Sequence, residues 1–253
     1  MSRRDLTLAR LKRLFRPARP VLLPIWKRVR PLVESTSWQS SGRSAAADGA
    51  GPIRPLTKAE FEGVVKRHPY YKGRGRYMSV AARLAGELIE AHGLQSALEL
   101  GPHLRPVIVG ADVMDVRAQA DLEIAPSARF VHHDASQAPW PVGDREYDLF
   151  VALQVFEHLG NAQNTAFQEV RRVARHALIS VPIDWEMDDP TNCHHRISEE
   201  RALSWFHPAA PTRVEVGNTG PRKRLIFVFE NLDRLAGSPE GLRADPRPEP
   251  AHA

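Results

Sequence analysis

Short apolar runs alternate with amphipathic stretches between residues 56 and 230. Helical periodicity predicts a helix over 78–92 that ends at Gly93, and a second helix over 162–175. Apolar runs that alternate with helices are typical of a parallel α/β sheet. The predicted strands are 97–100, 107–114, 129–132, 147–153, 177–182, 212–216 and 224–230.

Two local signals extend this outline. Thr57 followed by Glu60 is a capping-box pattern, which predicts a short helix that begins after Thr57. Only residues 217–222 separate the last two strands, so we expect them to form an antiparallel hairpin. The pattern therefore predicts a doubly wound, mostly parallel seven-stranded sheet with a C-terminal antiparallel hairpin.

Positive charge is concentrated at one end of the 253-residue chain. The net charge is +5, but residues 1–33 hold ten Lys/Arg and one acid, which leaves −4 on the remaining 220 residues. The apolar stretches there are too short and too broken by proline for a signal peptide or a membrane span. We interpret residues 1–50 as a basic, Pro-rich arm and linker. It either contacts an anionic membrane surface or acidic partner, or is a solvated, disordered arm.

Composition sets further limits. Residues 235–253 are rich in Pro, Glu and Arg and are predicted to be a disordered tail. The single cysteine, Cys193, excludes an internal disulfide and fits a reducing compartment. We therefore expect a cytoplasmic protein, peripheral at the membrane if the arm binds lipid. A slightly acidic main body argues against nucleic acid as a partner, and the sequence carries no prediction of oligomeric state.

Several predicted strands end in residues suited to a nucleoside ligand. In a doubly wound sheet, ligands bind beyond the carboxyl ends of the strands. A glycine lets the backbone approach the ligand, one carboxylate can accept both ribose hydroxyls, and another can accept the exocyclic amine of adenine. The candidate contacts, in chain order, are Glu99, Gly101, Pro102, Asp115, Asp134, Ala135 and Gln154.

The same stretch lacks a phosphate cradle. It contains no G-x-G-x-x-G pattern, and Pro102 removes a backbone donor. Acidic residues around a nucleoside favour a cationic ligand, and the sulfonium of S-adenosylmethionine fits. Asp112 is an alternative to Asp115 for the ribose, although the place of Asp115 at the strand's end favours it. Glu99 lies within a buried strand, where a carboxylate needs a partner.

Three segments resemble motifs of one enzyme family. Residues 99–102 (ELGP) resemble its first motif, and residues 133–135 (HDA) resemble its adenine-side motif. Residues 147–159, which end in EHL, resemble its fourth strand and the exit from it. By these motifs, residues 94–182 resemble a class I S-adenosylmethionine-dependent methyltransferase of the small-molecule type.

The first motif departs from the family pattern. Its second and third glycines are absent, and the fourteen positions from Gly101 to Asp115 are too few for the usual helix. This resembles a subgroup with an E-x-G-P start and a loop in place of that helix. The resemblance implies a Rossmann-like fold, with residues 51–234 as the methyltransferase domain, S-adenosylmethionine as cofactor, and methyl transfer as the activity.

The acceptor is not defined by these motifs. A faint resemblance to methyltransferases of cell-surface polysaccharide pathways favours a hydroxyl of a glycan or glycolipid precursor. Residues 68–77 interleave aromatic rings with cations, which suits either a sugar or phosphorylated acceptor, or packing. A non-catalytic module that binds S-adenosylmethionine and an RNA methyltransferase are the alternatives.

Three histidines are candidates for a general base. A hydroxyl acceptor must lose its proton, and imidazole titrates near neutral pH. His195 is the first choice because it lies in the polar stretch after the fifth strand, with His194 beside it and His158 at the exit of the fourth strand. With Cys193 these residues invite a metal interpretation, but their spacing fits no closed site and we predict none.

Overall fold

The computed structural model describes residues 52–118, 120–218 and 220–232. The predicted arm and linker at 1–50 and the tail at 235–253 lie outside these ranges, so their properties stay predictions. Among the described helices, none combines the length and apolar character that crossing a membrane requires.

The described ranges fold into nine strands and four α-helices. The strands are β1 (Arg54–Pro55), β2 (Ala97–Leu100), β3 (Ile108–Val109), β4 (Asp112–Asp115), β5 (Phe130–His132), β6 (Tyr147–Leu153), β7 (Ala174–Pro182), β8 (Arg213–Asn218) and β9 (Arg224–Phe229). The helices are α1 (Lys58–Arg67), α2 (Gly75–His92), α3 (Gln163–Val173) and α4 (Glu199–Ser204). Short 3₁₀ turns lie at Pro69–Tyr71, Phe156–His158 and Gly220–Arg222.

Seven strands form one sheet in the order β5-β4-β2-β6-β7-β9-β8. Strands β2, β4, β5, β6 and β7 are parallel, and β9 runs antiparallel between β7 and β8. The predicted doubly wound, mostly parallel sheet with a C-terminal hairpin is confirmed. From β2 the chain proceeds outward to β4 and β5, then crosses to β6 on the other side. A ligand crevice is therefore expected above the carboxyl ends of β2 and β6.

Each face of the sheet is covered by a helix. Successive residues of a strand point to opposite faces, so Leu149 of β6 packs with Leu84 of α2, whereas Phe150 lies in the cluster that holds Phe167 of α3. Burial on both faces explains why β6 and β7 are almost continuously apolar. The core thereby fixes the strand ends on which the candidate site depends.

The predicted helix ends are confirmed. The Thr57 side chain accepts from the Glu60 backbone N–H, and the Glu60 carboxylate accepts from the Thr57 N–H, which completes the capping box. Helix α2 ends at Gly93, whose φ of 61° lies in the left-handed region that a glycine adopts without strain.

The single strand predicted over 107–114 is wrong. Gly110, with a φ of 88°, turns the chain between two short strands. Strand β3 before it pairs antiparallel with β1 in a separate two-stranded sheet, and β4 after it joins the main sheet. An apolar run does not show this break, because both halves are buried.

Side chains from two other segments hold the loop between β2 and β3. The two oxygens of the Glu99 carboxylate accept from the backbone N–H groups of Val107 and Ile108, at 2.9 and 3.1 Å. The Tyr71 hydroxyl accepts from the N–H groups of residues 104 and 105, at 3.1 and 3.0 Å, and donates to the carbonyl of Pro102. Backbone donors that a helix would satisfy internally are satisfied here by buried side chains.

We expect Tyr71→Phe to lower the free energy of unfolding by about 1–3 kcal/mol, because it leaves buried backbone groups of this loop without a partner. Tyr70→Phe removes the same hydroxyl from a neighbouring ring that is 49% exposed, and serves as the control. Urea denaturation of both variants measures the difference. Equal stability of Tyr71→Phe and Tyr70→Phe would show that the hydroxyl does not hold the loop.

Candidate active site

The end of β2 brings the backbone close to its neighbours. Gly101 has a φ of 59°, and its N–H donates to the carbonyl of Met114 on β4. A Cβ added at Gly101 would lie 3.0 Å from a methyl group of Val155. Glycine is thus required here both by conformation and by space. Pro102, which follows, is buried and forms one wall of the same turn.

The buried carboxylate of Glu99 has hydrogen-bond partners. They are backbone N–H groups rather than a cationic side chain. Burial raises the pKa of this carboxyl to about 8, against the lowering effect of the two N–H groups from Val107 and Ile108. The structure therefore gives Glu99 a scaffolding contact, which shapes the loop that borders the crevice. Its direct contact with a cofactor stays a prediction.

The two candidate acids on β4 lie at opposite ends of the strand. Asp112, at the start, accepts from the Tyr147 hydroxyl and the Arg129 N–H, so its oxygens are engaged within the core. Asp115, at the carboxyl end, is 8% exposed and accepts from the Arg117 N–H. Burial raises the pKa of Asp115. Only Asp115 stands at the edge of the sheet where a ribose would bind.

The turn after β5 carries the adenine-side candidates. Asp134 is exposed, and its Oδ1 accepts from the N–H and the hydroxyl of Ser136, so it caps a turn. An ionised carboxylate that does this retains acceptor capacity for an amine. Ala135 is buried, and its carbonyl accepts from the indole of Trp140. The turn thus has a fixed shape and an exposed acid.

The residue after β6 has an unusual backbone conformation. Gln154 has a φ of 63°, and its N–H donates to the Ser180 hydroxyl at the end of β7. Its side-chain oxygen accepts from the guanidinium of Arg224 at 2.9 Å. Gln154 is therefore locked between β6, β7 and β9.

Taken together, these strand ends fit S-adenosylmethionine. Asp115 offers a buried carboxylate to donors such as ribose hydroxyls. Asp134, in the turn after β5, offers an exposed carboxylate. Gly101 allows the backbone to approach between them and β6. When bound, this cofactor supplies an activated methyl group on a sulfonium.

Side chains from two distant segments of the chain, the exit of β6 and the loop after β7, meet beside β6. The thiol of Cys193 lies 3.2 Å from Nδ1 of His158 and 3.5 Å from Nδ1 of His194. The indole of Trp185 stacks on the His194 ring, with centroids 5.5 Å apart. Burial lowers the pKa of His158 to about 4 and also lowers that of His194, so both imidazoles are neutral at neutral pH.

Glu157 lies under this group with no hydrogen-bond partner for either carboxylate oxygen in the described part of the chain. Its Oε1 faces Nε2 of His194 at 3.6 Å, which is beyond hydrogen-bond length. Burial raises the pKa of Glu157 to about 8. A buried polar group without a partner calls for an explanation, and a ligand that reaches Glu157 and His194 from the side is one.

His195, the first choice from the sequence, points elsewhere. Its Nδ1 accepts from the N–H of Met187 at 3.2 Å, within its own loop. His194 is the member of the pair that contacts His158 and faces Glu157. The contacts therefore favour His194 as the base, and the ranking of His195 stays without support from the geometry.

One ligand atom from each of His158, Cys193 and His194 lies within 4.8 Å of the others, a spacing that the sequence alone did not predict. The thiol–imidazole contacts account for this proximity without a metal ion. The positive charges of Arg222 and Arg224 act on His194 and oppose a further cation there.

Arginines and aromatic rings border the same group. Arg222 and Arg224 lie against the Trp185 ring, 4.7 and 4.6 Å from its centroid. Arg74 lies over the exposed ring of Tyr70 at 4.2 Å. Of the segment 68–77, Tyr71 therefore has a packing role, while Tyr70 and Arg74 face outward.

Arg222 and Arg224 were not among the site residues predicted from the sequence. Strand β9 is buried at every position, so Arg224 at its start is a charged residue in an apolar strand, the criterion that singled out Glu99. The same criterion would have found it. Arg222 lies in the hairpin turn and carries no such signal.

Residues 95–177 match the family described as "Methyltransferase domain". This segment is a methyltransferase domain of the class I, S-adenosylmethionine-dependent type. The order of its sheet agrees with that assignment. The protein is therefore an enzyme that takes the methyl group it transfers from S-adenosylmethionine.

A search of curated proteins gives no match. Similar solved structures include the N-methyltransferase NodS from Bradyrhizobium japonicum WM9 in complex with S-adenosyl-L-homocysteine (16% identity, TM-score 0.46), with 68% of this chain and 98% of that chain covered. WbdD with the kinase inhibitor LY294002 is 14% identical (TM-score 0.44; 66% and 44% covered). The N-terminal domain of EvdMO1, in the presence of S-adenosyl-L-homocysteine and D-fucose, is 14% identical (TM-score 0.43; 62% and 82% covered). Similarity at this level says nothing about the acceptor.

We expect the methyltransferase to bind S-adenosylmethionine and S-adenosylhomocysteine but not NAD. Asp115→Ala should weaken both sulfur ligands by about 1–3 kcal/mol, because the ribose hydroxyls lose a charged acceptor. Asp112→Asn is the control, since Asp112 lies at the far end of the same strand. Calorimetry on folded protein measures both. A larger loss of affinity for the Asp112 variant would show that the ribose binds at the start of β4 rather than at its carboxyl end.

Proposed function

We propose that the methyltransferase methylates a hydroxyl of a glycan or glycolipid precursor. The observation that carries this proposal is the pair of His194 and the buried, unpartnered carboxyl of Glu157. A hydroxyl is a poor nucleophile until its proton is accepted, and a positioned base contributes roughly 10²–10⁴-fold. An amine or carbon acceptor would have less need of such a pair.

The His194 ring is held in the state that a base requires. Nδ1 lies 2.8 Å from Oδ1 of Asn192, an oxygen that can only accept, so the ring proton resides on Nδ1. Nε2 is then left with its lone pair on the side of Glu157. In this proposal, the acceptor hydroxyl gives its proton to Nε2. Its oxygen forms a bond to the methyl carbon, and the carbon–sulfur bond breaks to leave a neutral thioether.

Glu157 has a complementary role after the proton has moved. Protonation gives His194 a positive charge in a half-buried site that already contains arginines, which is unfavourable. A positive charge on His194 lowers the pKa of the Glu157 carboxyl 3.6 Å away, which burial raises to about 8, so Glu157 ionises more readily once His194 is protonated. Glu157 is therefore a positioning and charge-balancing residue, and His194 is the base.

The surroundings suit a sugar. Tyr70 presents an aromatic ring that is 49% exposed, with Arg74 beside it, and such rings stack on sugar faces. The basic arm at residues 1–33 supports a membrane-linked precursor, because clustered Lys/Arg are attracted to anionic lipid.

His194→Asn should lower kcat by about 10²-fold or more and leave the affinity for S-adenosylhomocysteine unchanged. The rate of the parent enzyme should rise with pH as His194 loses its proton, with a midpoint below the ordinary histidine value of 6.5 because the pKa of His194 is lowered. This acidic limb should be absent from the variant. His195→Asn is the matched control; if it removes the limb and His194→Asn does not, His195 is the base.

The acceptor is tested with methyl-labelled S-adenosylmethionine and fractions of a cell extract. We expect label in the glycan or glycolipid fraction, and acid hydrolysis should release an O-methyl sugar. Label confined to protein, RNA or an amine would contradict the proposal, even if turnover itself is normal.

A further inference from the structure

We infer that the acceptor carries an oxyanion, a phosphate or a carboxylate, which binds a cluster formed by Arg74, Arg222 and Arg224. We call these three residues the arginine cluster. The inference deepens the proposed function and rests on it for the identity of the acceptor as a sugar.

Arg224 is a buried cation without an ion pair in the described ranges, although the Glu157 carboxyl acts on it at longer range. Arg224 is 8% exposed, and its hydrogen bonds go to neutral groups, the side-chain oxygen of Gln154 and the backbone carbonyl of Arg222. The rings of Tyr77 and Trp185 cover its guanidinium. A buried charge is costly unless it is paired, so this arrangement is unfavourable in the absence of a ligand.

The other two members add charge at the same place. The guanidinium of Arg222 is exposed, lies over Trp185, and has Met187 Sδ as a weak acceptor at 3.4 Å. Arg74 donates to the carbonyl of Tyr70 and is the N-cap residue of α2, whose N-terminal end is also positive. In the described ranges none of the three forms an ion pair with a carboxylate.

Many of the other arginines in the domain are paired. Nine of them in the described ranges lie within 4.0 Å of an Asp or Glu oxygen. Arg74, Arg222 and Arg224 differ from these nine because their guanidiniums lie near one another without an ion pair in the described ranges. Their mutual repulsion, seen between Arg74 and Arg224, is relieved by an anion.

The cluster lies next to the proposed base. Trp185 contacts Arg222 and Arg224 on its ring and stacks on His194. An oxyanion bound there would hold a sugar with one hydroxyl near Nε2 of His194. Bidentate binding by guanidinium would fix the orientation of that hydroxyl.

The carboxylate of the cofactor's methionine part is a competing source of negative charge. It is a single charge, whereas the cluster has three guanidiniums. The test is therefore made on full-length protein saturated with S-adenosylhomocysteine, so that the cofactor's own carboxylate is already in place.

Calorimetry on this complex compares inorganic phosphate, glucose 6-phosphate, glucuronate and glucose. We expect phosphate and the two anionic sugars to bind, more weakly as salt is added, and glucose not to bind. Arg222→Gln should lower the affinity for glucose 6-phosphate roughly tenfold or more, because a charge-assisted hydrogen bond is lost. A polyprenyl phosphate in detergent micelles then distinguishes a lipid-linked phosphate from a soluble sugar phosphate as the tighter ligand.

Arg196→Gln is the matched control, since Arg196 is an exposed arginine of the preceding loop that is paired with Glu186. It should leave the affinity for glucose 6-phosphate unchanged. The inference is overturned if no anion binds, if Arg196→Gln and Arg222→Gln have equal effects, or if Arg222→Gln and Arg224→Gln weaken S-adenosylhomocysteine instead. These outcomes leave the proposed O-methylation intact, because that is judged by the labelled product and the His194 variant.

Discussion

The arrangement of the cofactor site depends on how one loop satisfies its backbone hydrogen bonds. Residues 101–107 replace the helix that usually follows the first strand of this family, and so lose the internal bonds of that helix. In place of those bonds, Glu99 and Tyr71 accept hydrogen bonds from four N–H groups of the loop and of the strand that follows it. Because both side chains are buried, the loop is tied to the core, and the chain returns to the sheet soon enough to present Asp115 beside Gly101.

The side of the crevice next to His194 is built differently, from buried ionisable groups that form no ion pair with each other in the described ranges. Glu157 has no hydrogen-bond partner in the described ranges, and Arg224 is bound only to neutral groups. Each arrangement costs stability in the free enzyme. In the mechanism that we propose, both become favourable when a polar ligand enters, and this would explain why groups that a purely structural core would pair or remove stand next to His194.

The sheet and the cofactor edge were predictable because buried strands and their polar ends have a clear sequence signature. The position of Asp115 at the end of an apolar run was sufficient to favour it over Asp112. The break at Gly110 was not predictable, since both flanking strands are apolar. Which of the His194 and His195 rings faces Glu157 was not predictable either, because the backbone of an irregular loop decides it. Contacts such as that of Tyr71 with residues 104 and 105 join distant segments and have no local signal.

We propose that the carboxyl ends of β2, β4 and β6 position the cofactor so that its methyl group faces His194. A crystal structure with S-adenosylhomocysteine tests it most directly. We expect the ribose hydroxyls within hydrogen-bond distance of Asp115, and the sulfur open toward the space between Gln154 and His194. A sulfur that faces away from His194, or a ribose that leaves Asp115 without contact, would contradict it.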